Sequence, residues 1–283
     1  MSNVGRFHAA SEGTMSDRIS TWRSLGRVLI FLFCNAFVLV LTSALPFARA
    51  GVAQTLVIGA IASVGSFALT VLFIRWDGLR LCDVGAMPNG GSPGRFAIGF
   101  MIGLSMVALH SYLVGVVGHV RLVRTAGSSL EQAGLIFLGY VLLSTREELA
   151  FHGYSLRRLQ TVLGVWPAQA MIAAVFAIEH MAGGWSYSQA LWGAATGSLL
   201  FGMASIATRG LAVPIGIHAA WNFGDWIRGN RADPGVWRPE IQAGFEGAAS
   251  WAGIWCYVLI MILATFGFWF LHRAQNCVFV RDT

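Results

Sequence analysis

Glu147, Glu148, His152, Glu179, His180, His218 and Asn222 all stand within long apolar runs of the chain. An ionisable side chain at the centre of a membrane span costs about 3 kcal/mol or more, so such residues are expected to face an interior cavity and to serve a function. Their types suit hydrolysis. A carboxylate in a dry cavity is a competent general base for a water molecule. Imidazole and carboxamide donors can hold the oxyanion that forms when water attacks a carbonyl. A Glu, His, His set also suits zinc with one open position, through Glu147, His180 and His218, and the residue types alone leave both chemistries open.

Spacing groups these residues. Glu147 and His180 lie almost equally far along the chain from Gly164, so an antiparallel hairpin turning there sets them roughly level. His218 and Asn222, and likewise Glu148 and His152, are spaced to stack one helical turn apart on one face. Adjacent helical positions diverge by about 100°, so Glu147 and Glu148 are expected to have different roles.

The elements that must position them are membrane helices. Apolar residues fill 56% of the 283 positions and charged residues 11%, too little polar surface to coat a water-soluble globule. The expected fold class is all-α, a polytopic transmembrane helix bundle of about eight spans. The runs are Leu25 to Phe47, Val52 to Ile74, Phe96 to Val120, Gln132 to Arg157, Val165 to Met181, Ser188 to Thr208, Leu211 to Ile227 and Trp251 to Leu271. Residues 1–24 read as a flexible cytoplasmic arm, 25–272 as the transmembrane domain with its catalytic core at about 130–228, and 273–283 as a cytoplasmic tail. The turn formers between Arg75 and Arg95 mark a loop. The mixed-charge stretch from Gly229 to Ser250 reads as an exterior loop.

Basic residues outnumber acidic ones by 19 to 13. Membrane orientation accounts for the excess, so no nucleic acid partner is called for. Arg6, Arg18, Arg23, Arg27, Arg75, Arg80, Arg95, Arg157, Arg158, Arg209, Arg273 and Arg281 fall on one side of the threaded spans, which places both termini in the cytoplasm. Arg121 and Arg124 fall on the other. All basic residues are Arg, a sign of a GC-rich genome that points to a bacterial inner membrane. Cys34, Cys82, Cys256 and Cys277 lack paired spacing and read as packing residues. The pairs Gly99 with Gly103 and Gly193 with Gly197 allow close helix crossings.

Three ordered motifs, Glu147-Glu148-Leu149-Ala150-Phe151-His152-Gly153-Tyr154, Phe176-Ala177-Ile178-Glu179-His180 and His218-Ala219-Ala220-Trp221-Asn222, resemble those of the CPBP family of CAAX prenyl endopeptidases and bacteriocin-processing or immunity proteins. The resemblance spans the fourth to seventh runs and implies an intramembrane endopeptidase. By that resemblance Glu147 activates the water, His180 assists or binds it, His218 and Asn222 hold the oxyanion, and Glu148 supports. The family usually has Arg where this chain has His152, and only a protonated imidazole offers Glu148 a comparable charge. Prenylated substrates are not carried over to this chain.

The expected partners are a membrane-associated peptide or protein substrate and the lipid bilayer. The alternatives are a non-catalytic regulator or bacteriocin-immunity protein of the same fold, and a proton-coupled transporter, which the lack of an internal repeat disfavours. Glu179 reads as a hydrogen-bonded helix partner, and His110 and His119 as packing or interfacial histidines. Trp166, Trp185, Trp226, Trp251 and Trp269 read as an interfacial belt.

Overall fold

The computed structural model describes residues 15–44, 51–125, 129–231 and 235–281. The helices are α1 (Met15–Ser43), α2 (Val52–Trp76), α3 (Ser92–Val117), α4 (Leu130–Glu147), α5 (Tyr154–Leu163), α6 (Val165–Ala182), α7 (Thr196–Thr208), α8 (Ala212–Ile227) and α9 (Glu246–Arg281). A π-helical segment, Glu148–Gly153, joins α4 to α5, and a second, Gln189–Ala195, leads into α7. This is the all-α bundle that the apolar runs require. Phe33, Val40, Leu263 and Phe270 project outward from α1 and α9, as side chains meeting lipid should.

By length and composition, six helical stretches among the described residues can cross a membrane. The fourth and seventh expected spans are not among them, so the count of eight is not reached by this criterion. Both are helical, but α8 has only 16 residues, and α4 closes on Arg146 and Glu147. The two stretches that fall short, α4 and α8, carry Glu147, His218 and Asn222 of the candidate residues. The fourth run also differs from expectation in shape. It does not continue to Arg157 as one rod, because Gly153 leaves helical geometry (φ −83°, ψ −113°) and α5 starts afresh at Tyr154.

Two further boundaries shift. α1 begins at Met15, inside the segment expected to be an arm, since neither Gly nor Pro interrupts the chain from Met15 to Leu25. α9 extends to Arg281, through most of the expected tail. Residues 1–14 and 282–283, with Arg6, lie outside the described residues, as do the side chains of Arg18, Cys277 and Arg281. Cys34, Cys82 and Cys256 are free thiols. The bundle also carries a small sheet that the apolar runs did not announce. β1 (Val120–Arg124) pairs antiparallel with β2 (Trp237–Ile241), so the expected exterior loop is partly a strand.

Packing places α8 with little freedom. A Cβ on Gly99 would lie 2.1 Å from the Val213 carbonyl oxygen, one on Gly103 would lie 2.6 Å from the Ala220 Cβ, and one on Gly216 would lie 2.3 Å from the Phe96 oxygen. Backbone thus meets backbone between α3 and α8, and the register of His218 follows from it. Phe31, Phe73, Phe151, Tyr154, Ile172 and Phe176 form one core cluster. Leu200, Phe201, Ile217, Trp221 and Met261 form a second. At one end of the bundle the buried Asp77 carboxylate takes Arg27, Arg158 (3.2 Å) and the Tyr154 hydroxyl (2.8 Å), tying α1, α2 and α5 together.

Gly99→Leu is expected to force α3 from α8 and to lower stability by about 1–3 kcal/mol, the usual cost of overpacking a close contact. Thermal unfolding of the detergent-solubilised protein measures this, and an unchanged midpoint would contradict the close approach.

Candidate active site

A cavity of about 620 Å³ opens among α4, α6, the second π segment, α8 and α9. Glu147, His180, His218 and Asn222 all line it, from three stretches of chain that the sequence separates widely. Gly164, in the left-handed region at φ 79°, makes the turn between α5 and α6 that was expected to bring Glu147 and His180 to one level. The helix that delivers Glu147 is started by Ser129, whose hydroxyl accepts the Gln132 amide at 3.0 Å.

His218 is the junction of the site. Its Nδ1 lies 2.9 Å from Glu148 Oε1, and its Nε2 lies 3.5 Å from Glu147 Oε2. One imidazole thus faces both carboxylates, each through a different nitrogen, as the 100° divergence between Glu147 and Glu148 permits. The Phe201 ring stacks on it at 4.2 Å. Glu147 Oε2 is buried and accepts no hydrogen bond from the described residues, the His218 Nε2 contact at 3.5 Å being an ion-pair distance.

Glu148 is fully buried and serves two imidazoles. Oε1 meets His218, and Oε2 meets His152 Nδ1 at 2.8 Å. An ionised carboxylate only accepts, so both Nδ1 atoms donate. His152 Nε2 in turn lies 3.0 Å from the Ser198 hydroxyl, which can donate to it. A neutral His152 therefore satisfies all its polar atoms while holding Glu148. The contact made at the usual position of Arg does not require the imidazole to be protonated.

His180 is oriented by its own helix. Its Nδ1 donates to the Phe176 carbonyl oxygen at 2.9 Å, which leaves Nε2 as an acceptor. Trp185, expected at a membrane interface, instead packs edge-on against His180 at 4.7 Å and lines the cavity. Trp226, expected in the same belt, is fully buried, because α8 packs inside the bundle and leaves it no interface to reach.

Asn222 follows His218 one turn later on α8, as the spacing requires, and its Oδ1 accepts from Arg231 at 2.5 Å. The carboxamide NH2 is thereby left as the donor. Zinc would need Glu147, His180 and His218 gathered about one point, and among the described residues no group of three or more His, Cys, Asp or Glu is so placed.

Several contributors escaped the sequence reading. Arg146, 1% exposed, makes a bidentate pair with Glu179, one contact at 3.1 Å, linking the end of α4 to α6. This pair fastens together the two helices that carry the neighbouring Glu147 and His180. The adjacency of Arg146 to Glu147 and of Glu179 to His180 was the available signal. His110 also lines the cavity, accepting from Arg228 at 2.5 Å through Nδ1 and donating from Nε2 to the Gly253 oxygen at 2.9 Å. No local motif could have announced that contact, which spans 118 residues.

Glu179→Gln is expected to destabilise the protein by about 3 kcal/mol, because it leaves the buried Arg146 guanidinium without its countercharge. A second change, Arg146→Met, should return much of that loss, since the unpaired charge is then gone. Chemical denaturation of both variants in micelles checks the sign, and a double variant no more stable than Glu179→Gln would contradict it.

Comparison with curated proteins gives no match. The segment that carries all three motifs, residues 129–224 or about a third of the chain, matches the family model described as Type II CAAX prenyl endopeptidase Rce1-like, in agreement with the resemblance carried by those motifs.

Proposed function

We propose that this chain is an intramembrane endopeptidase that hydrolyses a peptide bond of a membrane-associated substrate by a glutamate-activated water. The observation that carries the reading is the cavity itself. Glu147, His180, His218 and Asn222 line it together, with His218 Nε2 3.5 Å from the Glu147 carboxylate. The match of residues 129–224 to a prenyl endopeptidase family supports proteolysis as the reaction class.

In this mechanism Glu147 removes a proton from water as its oxygen attacks the substrate carbonyl. His180 Nε2 accepts the water's second hydrogen bond and fixes its approach, because Nδ1 is already given to Phe176. The Asn222 NH2 donates to the developing oxyanion. His218 can do the same through Nε2 only when both its nitrogens carry protons, and the buried Glu148 carboxylate supplies the balancing charge. Glu147 then passes its proton to the leaving amine. Removing one oxyanion donor commonly costs about 10²–10³ in rate, so Asn222 and His218 each bear a substantial share.

His152 is assigned a supporting role with Glu148. Its contacts to Glu148 and Ser198 favour turnover over a silenced site, and no observation specifically favours the regulator or the transporter reading. The membrane setting is proposed to be a bacterial inner membrane with both termini in the cytoplasm. Arg27, Arg157 and Arg158 gather near Asp77 and Ser205 at one end of the bundle, whereas Arg121 and Arg124 lie on β1 beside β2.

Purified protein in lipid vesicles, presented with a library of tagged membrane peptides, tests the reading. Wild type is expected to cleave, and Glu147→Gln to be slower by about 10²–10⁴-fold, the usual contribution of a positioned base. A zinc chelator should leave the rate unchanged. Equal cleavage by Glu147→Gln would remove the mechanism. Chelator-sensitive cleavage would replace the free water with a metal-bound one.

A further inference from the structure

The segment after α8 was expected to be an exterior loop, yet Arg231 reaches back into the cavity that Glu147 lines. Its guanidinium donates to Asn222 Oδ1 at 2.5 Å, lies 3.5 Å from Asp225 Oδ2 and stacks over the Tyr140 ring at 5.7 Å. These contacts hold it from two helices, α8 and α4, so it is a fixed feature of the cavity wall rather than a free surface cation.

A carboxamide is nearly symmetric in shape, and rotation by 180° exchanges its oxygen with its NH2. In one orientation Asn222 offers an oxyanion two donors. In the other it offers a lone pair, which repels the developing charge. A guanidinium has donors only, so it accepts the company of the amide oxygen and rejects that of the NH2. We infer that Arg231 is a positioning residue that locks the Asn222 amide with its NH2 toward the reacting carbonyl. This deepens the hydrolytic reading above and rests on it for the role of Asn222. The preorganised donor pays no reorientation cost during reaction, which is the physical basis of oxyanion stabilisation.

The variants follow from the donor inventory. Arg231→Gln can face Asn222 with either end of its own amide and so no longer selects an orientation. Arg231→Lys has donors only and should restore the selection, though it lacks the planar stacking on Tyr140. Arg231→Gln is expected to lower kcat by about 10–100-fold, less than outright loss of a donor, with KM changed by no more than about twofold. Arg231→Lys should recover most of that kcat. In an Asn222→Ala background, Arg231→Gln should have no further effect, because the group it positions is gone.

A loss from Arg231→Gln that is equally large in the Asn222→Ala background would overturn the inference, as would an effect on KM alone. If Asn222→Ala cleaves like wild type, the oxyanion assignment of Asn222 falls instead. A readout that needs no activity covers that case and the case of an inert wild type. In protein labelled with ¹⁵N-asparagine, the side-chain NH2 signals lost in Asn222→Ala identify that amide. They should move or broaden in Arg231→Gln and return in Arg231→Lys. An unmoved Asn222 signal in Arg231→Gln would refute the lock independently of catalysis.

Discussion

A carboxylate with no access to solvent must find its hydrogen bonds within the protein, and Glu148 finds them in two imidazoles from different helical segments. An unpaired buried charge of this kind costs several kcal/mol, so the donors cannot drift from it. His218 is therefore held at a set rotation on α8, and its second nitrogen is turned toward Glu147. The π-helical segment that begins at Glu148 contains His152 too, so a short irregular stretch supplies both the acceptor and one of its donors. Irregular backbone at this depth is tolerated because it is enclosed by protein and not by lipid.

The supporting contacts radiate from that centre. A Cβ on Gly202 would lie 2.1 Å from Gln169 Oε1 and 3.0 Å from His152 Cδ2, so a side chain there would displace Gln169 and crowd the imidazole. Ser198, one turn earlier on α7, satisfies the far nitrogen. Phe176 contributes its carbonyl to His180 and its ring to the cluster containing Phe151, so packing and polar orientation are coupled in one residue. The bundle thus positions polar groups with apolar surfaces, as lipid-embedded folds must.

The anatomy of the cavity also has an asymmetry. The carboxylates and the two proposed catalytic imidazoles come from α4, the adjoining π segment, α6 and α8, whereas His110, Asp225, Arg228 and Arg231 form a second polar group along the same space. Asp225 accepts from Arg228 at 2.5 Å and stands 3.5 Å from Arg231, so much of the charge there is internally balanced. This second group lies toward the sheet end of the bundle, where Gly229 closely approaches the Trp237 carbonyl. The small sheet and the site wall are consequently parts of one structure.

Much of this protein was legible in its sequence, because lipid imposes simple arithmetic on length and polarity. Apolar runs announced the helices, and an ionisable residue in such a run signals an interior site since no lipid-facing position would tolerate it. Helical spacing sufficed to put His218 and Asn222 on one face, and a glycine at a hairpin turn sufficed to relate Glu147 to His180. What spacing cannot encode is which side chain satisfies which across helices. That His152 meets Glu148 with its far nitrogen covered by Ser198, that Arg146 reaches Glu179, that Trp185 turns inward, and that Arg231 governs an amide nine residues away were decided only by packing. Local periodicity fixes the direction a residue points along its own helix. The partner it meets depends on crossing angles and close approaches, here set by glycines on α3 and α8, and these exist only once the chain has folded.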